Sequence, residues 1–283
     1  EAKKREPLLR VVKHAELSKG QSVGLRILAV VLALIVGGIF IAAIGYNPFE
    51  IYATMITGCF RSPMAMQATV KFCIPMCISA LGVTLAFKMK FWNIGAEGQI
   101  LVGGAATAAL MIYAGDSLPT PVLMILMFVA SMAAGVIWGV IPAIFKAYFN
   151  TNETLFTLML NYVAMQIVTF CIVYWENPAG SNTVGIINSA TRAGWLPELG
   201  GLTYGWNVVI VLVFTIGMYI YMKYSKQGYE VAVVGESQDT ARYARINVKR
   251  TIIRTMGISG GICGIAGFLL VSGASHTIST STA

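Results

Sequence analysis

Seven long stretches without a charged side chain set the strongest limit on what this chain can fold into. They span 27–49, 72–87, 98–115, 117–145, 154–175, 199–222 and 255–283. A helix that crosses a bilayer needs roughly 17–25 apolar residues, a length that all but the second stretch reach. Only 11% of the residues are charged, against roughly 25% in soluble domains. We therefore predict an all-α polytopic transmembrane bundle with about seven spans.

The basic residues are concentrated at the ends of these stretches. Seven Lys or Arg lie in 1–26, seven lie in 223–254, and three more lie at two further junctions. Cytoplasmic loops of membrane proteins are enriched in Lys and Arg. Placing these segments in the cytoplasm predicts a cytoplasmic N-terminus and leaves 176–206 as an extracytoplasmic loop. The formal charge of +8 then indicates contact with membrane lipid, not with nucleic acid.

The sequence contains no motif typical of a catalytic centre. The patterns GxxxxGK[ST], GxSxG and HExxH do not occur in it. Its five cysteines lack metal-ligand spacing, and His276 either lines a pathway or belongs to a polar cluster at a helix end. We predict a transport subunit that is not an enzyme and binds no metal or cofactor. If transport uses ATP, the ATP and Mg²⁺ are expected on a separate ATPase.

The string "FWNIGAEGQI" at 91–100 lies at the junction of two of the most apolar stretches. It carries Asn93, Glu97 and Gln99, and polar side chains at membrane depth usually face a bundle interior or a water-filled path. A short, glycine-broken segment is also the sequence mark of a transport path. In the alternative interpretation, Asn93 caps the following helix and Glu97 complements its dipole. The residues alone leave both interpretations open.

Two amides in the predicted fifth span, 153–175, pose the same choice. Asn161 and Gln166 either face the path or form hydrogen bonds between helices, and the second role is favoured. Asn161 joins Asn93, Glu97 and Gln99 as a candidate residue of the translocation path. In the last predicted span, 252–272, the spacings among Gly260, Gly261, Gly264 and Gly267 let helices approach closely.

Three motifs carry a resemblance to a known family. "FWNIGAEGQI", "NETLFTLMLNYVA" (152–164) and "VVGESQDTARYARINVKRTIIRTMGISGGICGIAGF" (233–268) resemble the permease subunit of bacterial ATP-binding-cassette importers. The similar branch is the nucleoside and simple-sugar type of the branched-chain amino acid/ribose permease superfamily. The resemblance implies a type II-like helical translocation domain in the bacterial cell membrane. It implies nucleosides as the solute, with simple sugars as the alternative.

The same resemblance implies partners and a surface that binds them. The partners are a cytoplasmic ATPase, an identical or paralogous second permease and an extracytoplasmic binding lipoprotein. Within 223–254 we expect a short coupling helix over 240–246 with Asp239 as its N-cap; the alternative is a basic loop held by anionic lipid. Arg245 stands where the family usually has Gly, inside a tight turn. The candidate coupling residues are Asp239, Ala241, Arg242, Tyr243, Ala244, Arg245, Ile246 and Asn247.

The chain is expected to be one transmembrane permease domain over 1–283. Because members of the family continue beyond "HTISTSTA", we expect a C-terminally truncated chain that lacks about three helices. Two other classes of function stay open at this point. An ion-coupled secondary transporter would need a coupling site, for which Glu97 gives little support. A membrane scaffold or receptor would not need an interrupted span.

Overall fold

The computed structural model describes residues 18–280, with only the backbone of Lys19 described. Within this range the chain forms ten α-helices and no β-strand. They are α1 (Lys19–Ala43), α2 (Pro48–Gly58), α3 (Pro63–Lys88), α4 (Ala96–Ala114), α5 (Thr120–Phe149), α6 (Glu153–Tyr174), α7 (Gly205–Tyr224), α8 (Lys226–Glu236), α9 (Gln238–Tyr243) and α10 (Val248–Leu270). A π-helical turn, Val271–Ser275, extends α10. The prediction of an all-α fold is confirmed.

Six of the described helices are long and apolar enough to cross a membrane: α1, α3, α5, α6, α7 and α10 with its π-helical turn. The remaining predicted span, the third at about 97–114, is α4, a helix of 19 residues. Glu97 and Gln99 near its start lower its mean hydropathy. Because α4 packs against α5, α6 and α10, it needs no broad apolar surface toward lipid. The chain is a multi-pass membrane protein.

Helix α3 begins at Pro63, earlier than the predicted start of that span near residue 71. The Ser62 hydroxyl accepts a hydrogen bond from the Ala65 amide at 3.1 Å. Proline is favoured in the first position of a helix because its missing N–H would have no partner there. A serine cap followed by proline therefore starts the helix eight residues before the charge pattern indicates.

The contacts of the chain divide it into two compact units, residues 1–66 and 67–283. In the first unit, α1 and α2 form a hairpin in which the Tyr52 hydroxyl donates to the Leu34 carbonyl at 2.7 Å. Gly45 ends α1 with a φ of 95°, a value that glycine adopts readily. Residues 1–17 of the predicted basic segment 1–26 lie outside the described residues.

Helix α10 is the centre of the second unit. The most apolar window of this helix is 94% buried, whereas the other five spans bury 28% or less. Its glycines let backbones touch: a Cβ on Gly264 would meet the Ser131 carbonyl of α5, and one on Gly267 would meet the Ile100 carbonyl of α4. The close approach predicted from the glycine spacing is present in the structure.

We predict that Gly135→Ala in α5 destabilises the protein by about 1–3 kcal/mol, as overpacking of a filled core does. The added methyl group would meet the Gly260 carbonyl oxygen of α10 and push the two helices apart. The free energy of unfolding in detergent measures this effect. Gly217→Ala in α7 is the matched control, because nothing lies within 4 Å of its Cβ position. Equal stability of Gly135→Ala and wild type would contradict the close packing.

Candidate functional site

The interruption between α3 and α4 begins with a tight helix end. Lys90 adopts a φ of 56°, and the amide of Phe91 donates to the Ala86 carbonyl at 3.1 Å. These bonds close the last turn of α3 as in a Schellman motif. Residues 91–95 then cross to α4, and the N–H groups of 92–95 form no i→i−4 helical hydrogen bond, so these groups need other partners. We call 91–95 the break segment.

Asn93 lies at the centre of the break segment and is 2% exposed. Its Nδ2 donates to the Gln99 Oε1 at 3.3 Å and to the Ser259 Oγ at 3.4 Å. Its Oδ1 accepts from the Gly95 amide at 3.1 Å. The Ser259 hydroxyl donates in turn to the Gly82 carbonyl of α3 at 2.7 Å. Asn93 and Ser259 together thereby connect α3, α4 and α10.

Asn161 reaches the same break from α6. Its Nδ2 donates to the Ile94 carbonyl at 2.9 Å, and its Oδ1 accepts from the Gly98 amide at 2.9 Å. The first four N–H groups of a helix have no partner within that helix, and Gly98 lies in the first turn of α4. A Cβ on Gly98 would meet the Asn161 Oδ1 at 2.8 Å, so a glycine is needed for this contact.

Three of the four predicted path residues are therefore buried at the break: Asn93 and Gln99 bond to each other, and Asn161 bonds separately to the backbone of Ile94 and Gly98. We call these three side chains, together with Ser259, the amide network. Ser259 was missed by the sequence reasoning, although a hydroxyl among the glycines of α10 was a signal. Asn93 does not cap α4: the N-cap is Gly95, which makes no side-chain cap bond. Asn93 lies two residues before Gly95, and its side chain accepts from the Gly95 amide instead of from an amide in the first turn of α4.

Glu97 is the fourth predicted residue and stays outside the amide network. It is half-buried in the first turn of α4, where a carboxylate complements the helix dipole. Within residues 18–280 the Glu97 carboxylate has no hydrogen-bond or ion-pair partner. Gln166 is exposed on α6 and likewise has no partner among the described residues. A role of Glu97 in the path stays a prediction.

The predicted coupling segment contains two helices, α8 and α9, instead of one. The N-cap of α9 is Ser237, whose hydroxyl accepts from the Thr240 amide at 3.3 Å. The prediction that Asp239 caps this helix is wrong, because α9 starts at Gln238, before Asp239. The Asp239 carboxylate instead accepts from the Arg242 guanidinium at 2.9 Å in an exposed pair, which contributes little to stability.

Residues 244–247 form a tight turn between α9 and α10. The amide of Ile246 donates to the Ala241 carbonyl at 2.9 Å, and Arg245 adopts a φ of 56°. For a residue with a Cβ this conformation costs about 1–2 kcal/mol, and this explains why glycine suits the position. The Asn247 side chain caps α10 by accepting from the Arg250 amide at 3.1 Å.

Contacts with α3 and α10 help to hold the pair α8–α9 against the transmembrane helices. Gly235 packs against the Lys88 carbonyl at the end of α3. The Arg254 guanidinium of α10 forms an ion pair with the Glu230 carboxylate of α8 at 3.0 Å, and both side chains are largely buried. Ala241 anchors α9 as a buried side chain, whereas Tyr243 is 91% exposed. The helix pair therefore presents a free surface on a fixed base.

At the other end of α10, His276 belongs to a cluster at the helix end. Its ring stacks on Trp195 with centroids 3.8 Å apart, and its carbonyl accepts from the Ile187 amide at 2.9 Å. Burial, and then the positive charge of Lys71, lowers the pKa of His276 below its ordinary value. Asn188 in the same loop donates to the Met111 carbonyl of α4 at 2.7 Å. The loop 176–206 is thus fixed to α4 and α10.

These features together are those of a membrane transport protein. The bundle crosses the membrane several times, buried polar side chains lie where α3 and α4 are interrupted, and the pair α8–α9 is attached to the ends of the spans. Residues 65–282 match the family described as the branched-chain amino acid transport system permease component. The chain belongs to this family and is a permease subunit of an ABC importer. Family membership therefore decides against the secondary transporter and the scaffold, and makes the chain a transport component without enzymatic activity.

Individual relatives support this assignment. The chain is 30% identical over 243 residues to a guanosine ABC transporter permease of Bacillus subtilis. The aligned region covers 85% of this chain and 69% of that protein. It is 28% identical over 258 residues to a nucleoside ABC transporter permease of Lactococcus lactis, covering 88% and 71%. A glucose ABC transporter permease of Haloferax volcanii is 28% identical over 263 residues, covering 88% and 68%. No solved structure matches the chain significantly.

We predict that Asn161→Ala destabilises the protein by about 2–4 kcal/mol, because it leaves the part-buried Ile94 carbonyl and the buried Gly98 amide without partners. The free energy of unfolding in detergent and faster hydrogen exchange at the Gly98 amide measure the effect. Thr169→Ala is the control: it lies exposed on α6 and bonds only to its own helix, so its change stays within about 0.5 kcal/mol. Unaltered exchange at Gly98 would contradict the role of Asn161.

Proposed function

We propose that this chain forms part of the path by which an ATP-driven importer carries nucleosides across a bacterial cell membrane. The observation that supports it most is the similarity over 85% or more of the chain to permeases named for guanosine and nucleosides. A carrier of uncharged, ring-containing solutes needs no buried charge for binding. This agrees with an amide network that is fully uncharged.

The proposed assembly contains three further kinds of subunit. A cytoplasmic ATPase binds ATP and Mg²⁺, a second permease that is identical or paralogous completes the path, and an extracytoplasmic lipoprotein delivers the solute. No cofactor binds to this chain. The N-terminus and α8–α9 lie in the cytoplasm, a placement supported by the basic residues of 223–254, while 176–206 faces the outside.

The ATPase docks on α9 and on the turn that follows it. Support comes from the contrast between the buried Ala241 and the exposed Tyr243, which leaves a free aromatic surface on an anchored helix. A force on α9 reaches α8 directly, and then α10 through Glu230 and Arg254. From α10 it reaches the break segment through Ser259 and Asn93. Nucleotide-driven movement is thereby coupled to the place where the spans are interrupted.

In the path itself, the four candidate residues have two different roles. Asn93, Gln99 and Asn161 shape the path by holding the break segment in place through the hydrogen bonds described above. Glu97 is the member with a carboxylate free of partners among the described residues, so it is the one available to a passing solute. Glu97→Gln preserves shape and removes charge, while Glu97→Ala removes both. Equal uptake by all three forms at equal expression would exclude a transport role for Glu97.

Uptake into proteoliposomes tests the proposed solute. The chain is reconstituted with its second permease, ATPase and binding protein, and labelled guanosine uptake is measured against excess unlabelled adenosine or glucose. We expect adenosine to compete and glucose not to, with inhibition by vanadate and none by a protonophore. The glucose permease relative makes a sugar the second candidate. Competition by glucose alone would contradict nucleoside transport, and collapse with a protonophore would contradict ATP-driven import.

We predict that Tyr243→Ala lowers ATP-driven uptake and ATPase co-purification at least about tenfold, as loss of an aromatic interface anchor does. The unfolding midpoint of the isolated chain should stay unchanged, because the Tyr243 side chain is 91% exposed. Tyr46→Ala is the matched control, at a tyrosine that is 65% exposed after α1. Normal uptake by Tyr243→Ala would exclude this surface from docking.

A further inference from the structure

A small cleft lies between the helix pair α8–α9 and the ends of the spans. Its volume is about 210 Å³. One side includes 89–91 at the end of α3, Lys146 of α5 and Glu153 of α6, and the other side consists of 234–238. We call this space the α8 cleft. It separates the helices proposed for ATPase docking from the residues that lead into the break segment.

The two sides of the α8 cleft touch at Gly235. A Cβ on Gly235 would meet the Lys88 carbonyl at the end of α3, and the Met89 Cα lies 3.1 Å from the same position. Backbone therefore packs on backbone here, with no side chain between the two helix ends. Glu236 follows directly and is the last residue of α8. A rotation of α8–α9 about Gly235 changes the width of the cleft without breaking this contact.

The charges that line the α8 cleft are paired on one side and unpaired across it. On the span side, Lys146 forms an ion pair with Glu153 at 2.8 Å, and these side chains are only 21% and 17% exposed. Lys90 lies on the same side and Glu236 on the opposite side. Both are exposed, and within residues 18–280 neither side chain has an ion-pair or hydrogen-bond partner. An unpaired cation and an unpaired anion thus border the cleft from opposite sides.

Lys90 is placed where a small displacement acts on the break segment. It is the last residue before this segment, and its φ of 56° turns the chain out of α3. Residues with a side chain seldom adopt this conformation, and hydrogen bonds that close the end of α3 hold Lys90 in it. Phe91, the first residue of the break segment, is buried and also lines the cleft. Movement of Lys90 is therefore passed directly to the break.

We propose that Glu236 and Lys90 form an ion pair when the ATPase closes the α8 cleft, and that this pair draws the break segment toward α8. Both act as positioning residues, because they move the path without touching the solute. This role rests on the proposed docking of the ATPase on α9. It adds a direct route from α8 to the break, beside the route through Arg254 and Ser259 of α10.

Charge reversal in the reconstituted importer tests the pair. Labelled guanosine uptake is divided by the ATP hydrolysed, so that coupling is measured separately from ATPase activity. An exposed ion pair changes an equilibrium constant by up to about fivefold, and reversal of one charge adds repulsion. We therefore expect Glu236→Lys and Lys90→Glu each to lower the ratio at least about threefold. The double variant Lys90→Glu/Glu236→Lys rebuilds the pair with its charges exchanged and should restore most of the ratio.

Lys226→Glu combined with Glu236→Lys is the matched control. Lys226 is exposed at the start of α8 and lies outside the α8 cleft. This double variant therefore has the same net charge as the rescued one but no pair across the cleft, and we expect its ratio to stay as low as that of Glu236→Lys. The unfolding midpoint should equal that of wild type in every variant, because Lys90 and Glu236 are exposed and unpaired when the cleft is open.

Four results would overturn the role of this pair. Wild-type coupling in both single variants would exclude it, and so would a double variant at 90 and 236 that is no better than the single ones. Rescue by Lys226→Glu as complete as by Lys90→Glu would assign the effect to net charge. Loss of ATPase co-purification in Glu236→Lys would place Glu236 in the docking surface instead of the cleft.

This role and the proposed function can fail separately. If the wild-type importer carries glucose and not guanosine, the nucleoside assignment fails, and the ratio of uptake to ATP hydrolysis is measured with glucose. If wild type couples guanosine uptake to ATP hydrolysis and the single variants match it, only the ion pair is excluded.

Discussion

Direct contact between helix backbones is the constraint on which the rest of this structure depends. Within a bilayer, apolar side chains gain little by leaving lipid for protein, so helices associate through close packing and hydrogen bonds. At Gly260 and Gly264 of α10 the neighbouring backbone of α5 lies where a Cβ would be. This approach fixes the height and rotation of α10, and thereby places Ser259 beside the break segment and Arg254 beside α8. A shift of one helical turn would separate both pairs.

The fixed position of α10 helps to stabilise the interruption between α3 and α4 in apolar surroundings. Carbonyl and amide groups at the break would each cost several kcal/mol if left without partners. An asparagine amide both donates and accepts, and Asn161 uses both functions, on the Ile94 carbonyl and the Gly98 amide. The polar string between two apolar stretches is therefore explained by hydrogen bonds to the backbone. Glu97 is the residue of this string that we propose for contact with the solute.

Much of the fold was predictable from charge alone, whereas the partners within the site were not. The uncharged stretches located the spans, but α8 was missed, because its 11 residues include charged side chains and no long apolar run. Ser237 and Asp239 are both good N-caps, and only the start of α9 decides between them. Asn93 and Ser259 are 166 positions apart, so their contact depends on the tertiary packing. Gln166 looked like an interhelical amide, yet it faces outward while Asn161, five residues before it, faces inward.

Photocrosslinking from position 243 of the intact importer in cells tests most directly whether ATP drives this permease through α9. A photoreactive residue replaces Tyr243, and mass spectrometry identifies what it captures. The control carries the same residue at Tyr174, which is 73% exposed at the other end of the bundle. We expect position 243 to capture an ATPase with a phosphate-binding loop and position 174 not to capture it. Capture of lipid alone at position 243, in a well-expressed and active importer, would contradict the docking of the ATPase on α9.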